Sequence, residues 1–167
     1  MSIKHIKGDI LTASELPGFV AICHQVNCKG VMGAGLALQI KDKYPEVYQK
    51  YRRYCKDEHY NPPQTLKSLL LGKIQIIYPE KGGLNPDDYH FCIINCFGQD
   101  GCGCGLQTDY LALKMCFSKI NERFKGKRVA LPFKIGCGLA GGDWNIVYSL
   151  IEKELCDCNV EIWEYSR

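Results

Sequence analysis

The sequence predicts an α/β fold, a three-layer α-β-α sandwich around a central mixed and largely parallel sheet, on three observations. Short apolar runs alternate with amphipathic helical stretches along the chain, the pattern of strands joined through crossover helices. The run at residues 91–95 (FCIIN) is apolar without alternation, as in a strand covered on both faces. Three glycine-rich loops follow strand-like runs, after Cys23, Asn95 and Pro132. Parallel strands bring such loops to one end of a sheet, where α/β folds bind ligands. The 167 residues suit one domain, 1–167, with one sizeable core.

Residues 3–6 read as the first strand, ended by Gly8-Asp9. Pro17-Gly18 punctuates the chain before a buried strand at 19–23. Leu36, Ala37, Ile40 and Tyr44 share one helical face, so a helix spans about 34–44, and 47–55 resume it beyond Pro45. Asn61-Pro62-Pro63 breaks the chain. Residues 69–71 and 74–78 flank Gly72-Lys73 as the arms of a two-residue hairpin. The polar stretch 80–88 reads as a surface loop. After the strand at 91–95, a helix carries Leu113, Cys116, Phe117, Ile120 and Phe124 on one side, with Thr108 or Asp109 as its cap. Residues 129–132 form the next strand, Asp143 caps a helix bearing Trp144, Val147, Ile151 and Leu155, and residues 160–165 close as a strand.

A net charge of +3, with lysines and arginines scattered, is weaker than the basic stripe of a dedicated nucleic-acid binder. Arg52-Arg53 and the 125–128 cluster read as solvated surface. Eleven cysteines are an odd number, and none sits in a C-x-x-C pair. Cys102-x-Cys104 and Cys156-x-Cys158 are too close for the usual metal spacing, so no metal site is expected. Cys23, Cys92, Cys96 and Cys116 lie in apolar runs, where cysteine behaves as a small hydrophobe. Reduced thiols, an N-terminus without an apolar signal core and the absence of an apolar run near ~18 residues point to a cytoplasmic protein.

The most informative stretch is 23–44, CHQVNCKGVMGAGLALQIKDKY. A glycine-rich turn feeds a helix start, which offers backbone N–H groups and the positive end of the helix dipole to an anion. Gly30, Gly33 and Gly35 carry no Cβ, so a phosphate can approach closely. Asn27, just ahead of the loop, aims its amide at the same cleft. The spacing matches neither GxGxxG nor GxxxxGK[ST], and a plain strand-to-helix turn without ligand is the alternative.

Five pieces, in order, are similar to the macrodomain, the ADP-ribose-binding fold: GDI at 8–10, VNCKGVMGAGLALQ at 26–39, FGQ at 97–99 with QTDYLAL at 107–113, PFKIGCGLAGGDW at 132–144, and the closing VEIWEY. The chain resembles the branch with ADP-ribose 1″-phosphate phosphatases and ADP-ribosyl-glutamate and ADP-ribosyl-DNA hydrolases. The resemblance implies that Asp9 accepts the adenine amino group while the Ile10 amide reads a ring nitrogen. Val31, Met32, Gly33, Ala34 and Gly35 would wrap the pyrophosphate and distal ribose. Ile135, Gly136, Cys137, Gly138, Leu139, Ala140 and Gly141 would form the second phosphate-cradling loop. Phe97 and Gln99 would flank the distal ribose, and Glu164 or Tyr165 would border the adenine. For Asp9 a turn-capping carboxylate is the alternative.

One departure bears on mechanism. The hydrolases of glutamate and DNA linkages in this branch use a lysine after the central strand, but residues 95–107 contain none, and Ala140 stands where the glutamate hydrolase has an aspartate. The remaining catalytic candidates are Asn27, to orient a water or ribose hydroxyl; His24, for proton transfer or as a structural hydrogen-bonder; Asp143, as general base or helix cap; and Asp100 and the loops themselves. Cys137, among free N–H groups, is expected either to have a lowered pKa or to be only a small residue that fits. The implied activity is hydrolysis of an ADP-ribose derivative, the 1″-phosphate monoester or an ADP-ribosyl linkage, by a monomer without cofactor. The alternative is a reader that binds ADP-ribose without turnover. The expected partner is ADP-ribose or an ADP-ribosylated substrate, with nucleic acid only as such a substrate or an RNA-processing one, and no membrane.

Overall fold

A computed structural model describes residues 2–57, 67–79 and 89–165. The expected breaks at Asn61-Pro62-Pro63 and the loop at 80–88 lie outside the described residues. The strands are β1 (Ser2–Lys7), β2 (Val20–Asn27), β3 (Ile74–Ile77), β4 (Phe91–Gln99), β5 (Arg128–Pro132) and β6 (Asn159–Glu164). They form one sheet in the order β1-β6-β5-β2-β4-β3, parallel throughout except for β3 against β4. Helices α1 (Gly35–Lys43) and α2 (Pro45–Lys56), with a 3-10 turn at Ile10–Glu15, cover one face; α3 (Tyr110–Arg123) and α4 (Trp144–Glu154) cover the other. This is the expected α/β sandwich.

The layers follow from alternation in the strands. Ala21 and Cys23 pack with Leu113, Phe117 and Ile151 under α3 and α4, while Val20 and Ile22 pack with Ile40 and Val47 under α1 and α2. Fully burying such a side chain contributes about 1.5–3 kcal/mol. The strand ends differ from the sequence reading: β2 runs on to Asn27 and β4 to Gln99. Hydrophobicity stops at Cys23 and Asn95, but the polar residues beyond pair with one another (His24 with Asn95, Gln25 with Gln99), which leaves only His24 Nδ1 and Gln25 Oε1 buried without a partner among the described residues. The expected hairpin at 69–78 does not form. Residues 68–73 make a turn that buries Leu70 beside Tyr51 and Phe97, and β3 pairs instead with β4.

A buried ion pair ties the sheet's middle to the 3-10 side. Arg128 meets Glu161 at 2.7 and 3.2 Å and donates to the carbonyls of Pro17, Gly18 and Ala13. Trp163 Nε1 donates to the same carboxylate at 3.1 Å. Arg128→Met leaves that buried carboxylate without its cation, so urea unfolding should show a loss of about 3–5 kcal/mol. A loss below about 1 kcal/mol would show that solvent reaches Glu161.

Candidate functional site

The carboxyl ends of β2 and β5 and three loops enclose a cleft of about 470 Å³. The β2–α1 loop gives one wall (Val31, Gly33, Ala34, Gly35), the β5–α4 loop the opposite one (Phe133 to Gly136, Gly138 to Ala140), and Cys102, Gly103 and Gln107 a third. His24, Gln25, Asn27 and Gln99 form the floor. Helix α1 opens onto this cleft with Ala34 at its N-cap and no side-chain cap. The starts of α3 and α4 are capped by Asp109 and Asp143, which accept from the amides of Ala112 at 3.0 Å and Asn145 at 2.8 Å. The first amides of α1 are therefore left without a side-chain partner, facing a space that an anion fits.

Gln25 ties two of these loops together. Its Nε2 donates to Gln99 Oε1 at 2.8 Å and Thr108 Oγ1 at 3.0 Å, and Thr108 donates onward to the Gly136 carbonyl at 2.6 Å. Gln99 Nε2 in turn donates to the Gly101 carbonyl at 2.8 Å. A Cβ at Gly98 or at Gly136 would stand 2.6 Å from Gln25 Oε1, so a side chain at either position would push the Gln25 amide from its place, and Gly136 is in addition left-handed at φ +72.

On the opposite face of β2, a second polar chain fixes His24. Gln75 Nε2 donates to the Lys50 carbonyl at 3.2 Å, so Gln75 Oε1 accepts from Asn95 Nδ2 at 3.0 Å. Asn95 Oδ1 is then the acceptor for His24 Nε2–H at 2.6 Å. This directionality leaves His24 Nδ1 as a bare lone pair, buried and without a partner among the described residues. Burial lowers the His24 pKa to about 4, against a smaller upward pull from Asn95, so the ring is neutral near pH 7.

Asn27 holds its own loop. Its Nδ2 donates to the Val31 carbonyl at 2.7 Å, and its Oδ1 accepts from the Lys29 amide at 2.9 Å and, at 3.3 Å, from Val31. The Tyr51 hydroxyl donates to the Asn27 carbonyl at 2.7 Å and lies 2.9 Å from Oδ1. The amide thus sets the shape of the β2–α1 loop rather than reaching into open space.

The other expected residues divide between cleft and scaffold. Val31, Gly33, Ala34, Gly35, Gln99, Ile135, Gly136, Gly138, Leu139 and Ala140 line the cleft. Met32 instead points into the core with Val26, Tyr51 and Leu70, anchoring the loop from beneath. Phe97 is wholly buried in the same cluster, because strand alternation turns its ring toward α2 and away from the cleft. Gly141 is glycine because a Cβ there would meet the Gly105 carbonyl at 2.9 Å, a loop-to-loop contact. Asp143 stands off the cleft as the α4 cap, with its amide donating to the Tyr110 hydroxyl at 2.8 Å. The Cys137 thiol is raised, not lowered, in pKa, first by burial and then by the charge of Asp143. Asp9 Oδ1 accepts from the Leu11 amide at 2.9 Å and caps the 3-10 turn, with Ile10 buried behind it. Asp9 and the exposed Tyr165 follow the ends of β1 and β6, which the sheet order sets beyond β5 at the same end.

Among the lining residues not expected from the sequence, Gln25, Gln107 and Lys134 bear most on the site. Gln25 was legible only if β2 continued beyond Cys23. Gln107 reaches the wall because its amide donates to the Ala140 carbonyl at 2.8 Å, a contact between segments distant in sequence. Lys134 adopts φ +58, a left-handed conformation uncommon outside glycine, with its ammonium 5.3 Å from the centre of the Phe133 ring. It brings a cation to the cleft, where no carboxylate lines the wall among the described residues.

Residues 23–151 match the Macro domain family. An ADP-ribose 1″-phosphate phosphatase of Meyerozyma guilliermondii is 30% identical over 172 residues, covering 96% of this chain and 98% of its own. Among solved structures, a protein of unknown function from Bacteroides thetaiotaomicron superposes with a TM-score of 0.77 at 26% identity, over 98% of both chains. Thermosipho africanus DarTG, in complex with ADP-ribose, superposes at 0.75 and 22% identity over 98% of this chain and 42% of its own.

The buried neutral histidine has a pH consequence. Unfolded His24 takes a proton near 6.5 and folded His24 only near 4. Between those values the unfolded state binds more protons, so stability is lost as pH falls through the window, by about 3 kcal/mol. Urea unfolding of the protein and of His24→Gln from neutrality to about pH 4 should show that slope in the first and its loss in the second. Equal slopes would place the proton uptake elsewhere.

Proposed function

This chain belongs to the Macro domain family, and on that premise we propose that its cleft binds ADP-ribose and hydrolyses ADP-ribose 1″-phosphate. The observation that carries the reading is the pair of walls built from backbone: the uncapped start of α1 on one side and the glycine-rich β5–α4 loop on the other. Two such walls suit a diphosphate, whose oxygens accept N–H bonds and whose charge favours a helix start. Lys134 adds the one cationic side chain on the described lining. The relative from Meyerozyma guilliermondii, aligned over nearly its whole length, carries the phosphatase activity by name.

In the reaction, water attacks the 1″-phosphorus, the bond from phosphorus to the ribose oxygen breaks, and that oxygen leaves as a hydroxyl with a proton from the attacking water. Inorganic phosphate and ADP-ribose result. Preorganised N–H groups aimed at the transferring phosphoryl oxygens provide electrostatic stabilisation without a side-chain nucleophile. Asn27 is a positioning residue, because it holds the loop that carries the Val31 to Gly35 amides. His24 is neutral with its Nδ1 lone pair buried, so in this reading it is a structural hydrogen-bonder beneath the cleft rather than a group that takes a proton from the substrate. A monomer in a reducing cytoplasm belongs to the same proposal, supported by eleven cysteines of which none is in a disulfide.

A second reading, a binder without turnover, is favoured by one feature: no carboxylate stands on the described lining to act as general base. Calorimetry and phosphate release separate the two. ADP-ribose at one hundred times its Kd should add about 2.7 kcal/mol to stability, and ADP-ribose 1″-phosphate should yield phosphate in chelator-treated buffer. Asn27→Ala should weaken affinity and slow release together, because the loop loses its internal bonds. Binding without any phosphate release establishes the reader. Absence of binding contradicts both.

A further inference from the structure

The eleven thiols are not equivalent. Seven are buried, Cys137 is half-buried with its sulfur 3.3 Å from the Ile135 carbonyl, and Cys102, Cys104 and Cys156 are exposed. The two C-x-C pairs differ accordingly. Cys158 is buried against the Phe124 carbonyl at 3.4 Å, which separates it from its exposed neighbour Cys156. Cys102 and Cys104 are exposed together in the segment Gly101-Cys102-Gly103-Cys104-Gly105. An added Cβ at Gly101 or Gly105 would meet nothing within 4 Å, so a second molecule has room to approach.

The segment is pinned on either side and lies on the cleft. Gln99 Nε2 holds the Gly101 carbonyl at 2.8 Å, and the Gln107 and Thr108 amides donate to Ala140 at 2.8 and 3.1 Å. Cys102 lines the cleft. The Cys104 carbonyl accepts from Gln107 Nε2 at 3.0 Å, and Gln107 is on the cleft wall as well.

We infer that Cys102 and Cys104 form a modification site for low-molecular-weight disulfides such as glutathione disulfide, and that the intraloop disulfide made there deforms the ligand cleft. The second part rests on reading the cleft as an ADP-ribose site. One cysteine thiolate attacks a sulfur of glutathione disulfide, giving a mixed disulfide and one glutathione, which takes up the proton the cysteine released. The second cysteine then displaces the other glutathione in the same way. Two protein thiols are oxidised and one glutathione disulfide is reduced to two glutathiones. Two residues span at most about 7 Å, and a disulfide needs Cα atoms about 4.4–6.8 Å apart, so the ring closes while the pinned ends stay in place. Pinching the segment displaces Cys102 and the carbonyl that holds Gln107, two parts of one wall. A strained, exposed disulfide has a raised potential, so it is readily reduced again.

The test treats the protein with excess glutathione disulfide and then reads intact mass, peptide map and ADP-ribose affinity, before and after dithiothreitol. The expected product is lighter by two hydrogens, with the bond mapped to Cys102–Cys104. Its affinity for ADP-ribose should fall by about tenfold or more and return on reduction. Cys156→Ser should still form the bond, whereas Cys104→Ser should stop at a mixed disulfide on Cys102. Modification confined to Cys156 overturns the site, and a mapped Cys102–Cys104 bond with unchanged affinity overturns its effect on the cleft. Reduced protein that fails to bind ADP-ribose contradicts the reading of the cleft, while the mass map still decides whether the thiol site exists.

Discussion

The cleft depends on one half-buried amide. Gln25 stands on the central strand, and two of the three loops that make the site are fastened to it: the β4–α3 loop at both ends, through Gln99 and Thr108, and the β5–α4 loop through Thr108 and the Gly136 carbonyl. A polar side chain inside a sheet is destabilising unless its bonds are made, and here those bonds bring separate chain segments to one place. The same amide bears on the residue types around it, because a Cβ at Gly98 or Gly136 would stand 2.6 Å from its oxygen and displace it. Those glycines serve the scaffold. Gly33 and Gly138 differ: a Cβ at Gly138 would meet nothing within 4 Å, and at Gly33 only Val31 at 3.8 Å, so the open side of both belongs to the cleft.

Helix starts show the same division of labour. Asp9, Asp109 and Asp143 each cap a helical segment, and each carboxylate accepts the amide two or three residues on. Ala34 at the start of α1 provides no such oxygen. An uncapped helix start costs about 1 kcal/mol relative to a capped one, and a ligand anion supplies the missing acceptor when it binds. With Lys134 beside it and no carboxylate on the described lining, the electrostatics of the cleft favour a negatively charged guest.

The sequence made the layers legible because apolar periodicity reports burial directly. The caps at Asp109 and Asp143 and the convergence of three loops came from residue types with strong local preferences. What stayed hidden was polar and long-range. His24 and Gln25 look like the start of a loop in a hydrophobicity reading, yet they are strand residues whose partners lie 71 and 74 residues away. Phe97 sits within a motif that resembles a ligand contact, and only the pleat of β4 shows that its ring faces α2. Asn27 was legible as important, but not as the clamp of its own loop, because Tyr51 reaches this strand residue from α2. The exposed Leu69 and buried Leu70 that replaced the expected hairpin arm were likewise set by tertiary packing under α2.

The central claim is that backbone amides of the β2–α1 and β5–α4 loops hold the diphosphate of ADP-ribose. Amide chemical-shift mapping of the reduced protein during an ADP-ribose titration tests it most directly. The largest shifts should fall on Gly33, Gly35, Gly136 and Gly138, with ADP producing a smaller set on the same loops. Shifts that spare both loops while appearing elsewhere on the sheet would contradict the claim, as would a titration that leaves every amide unmoved.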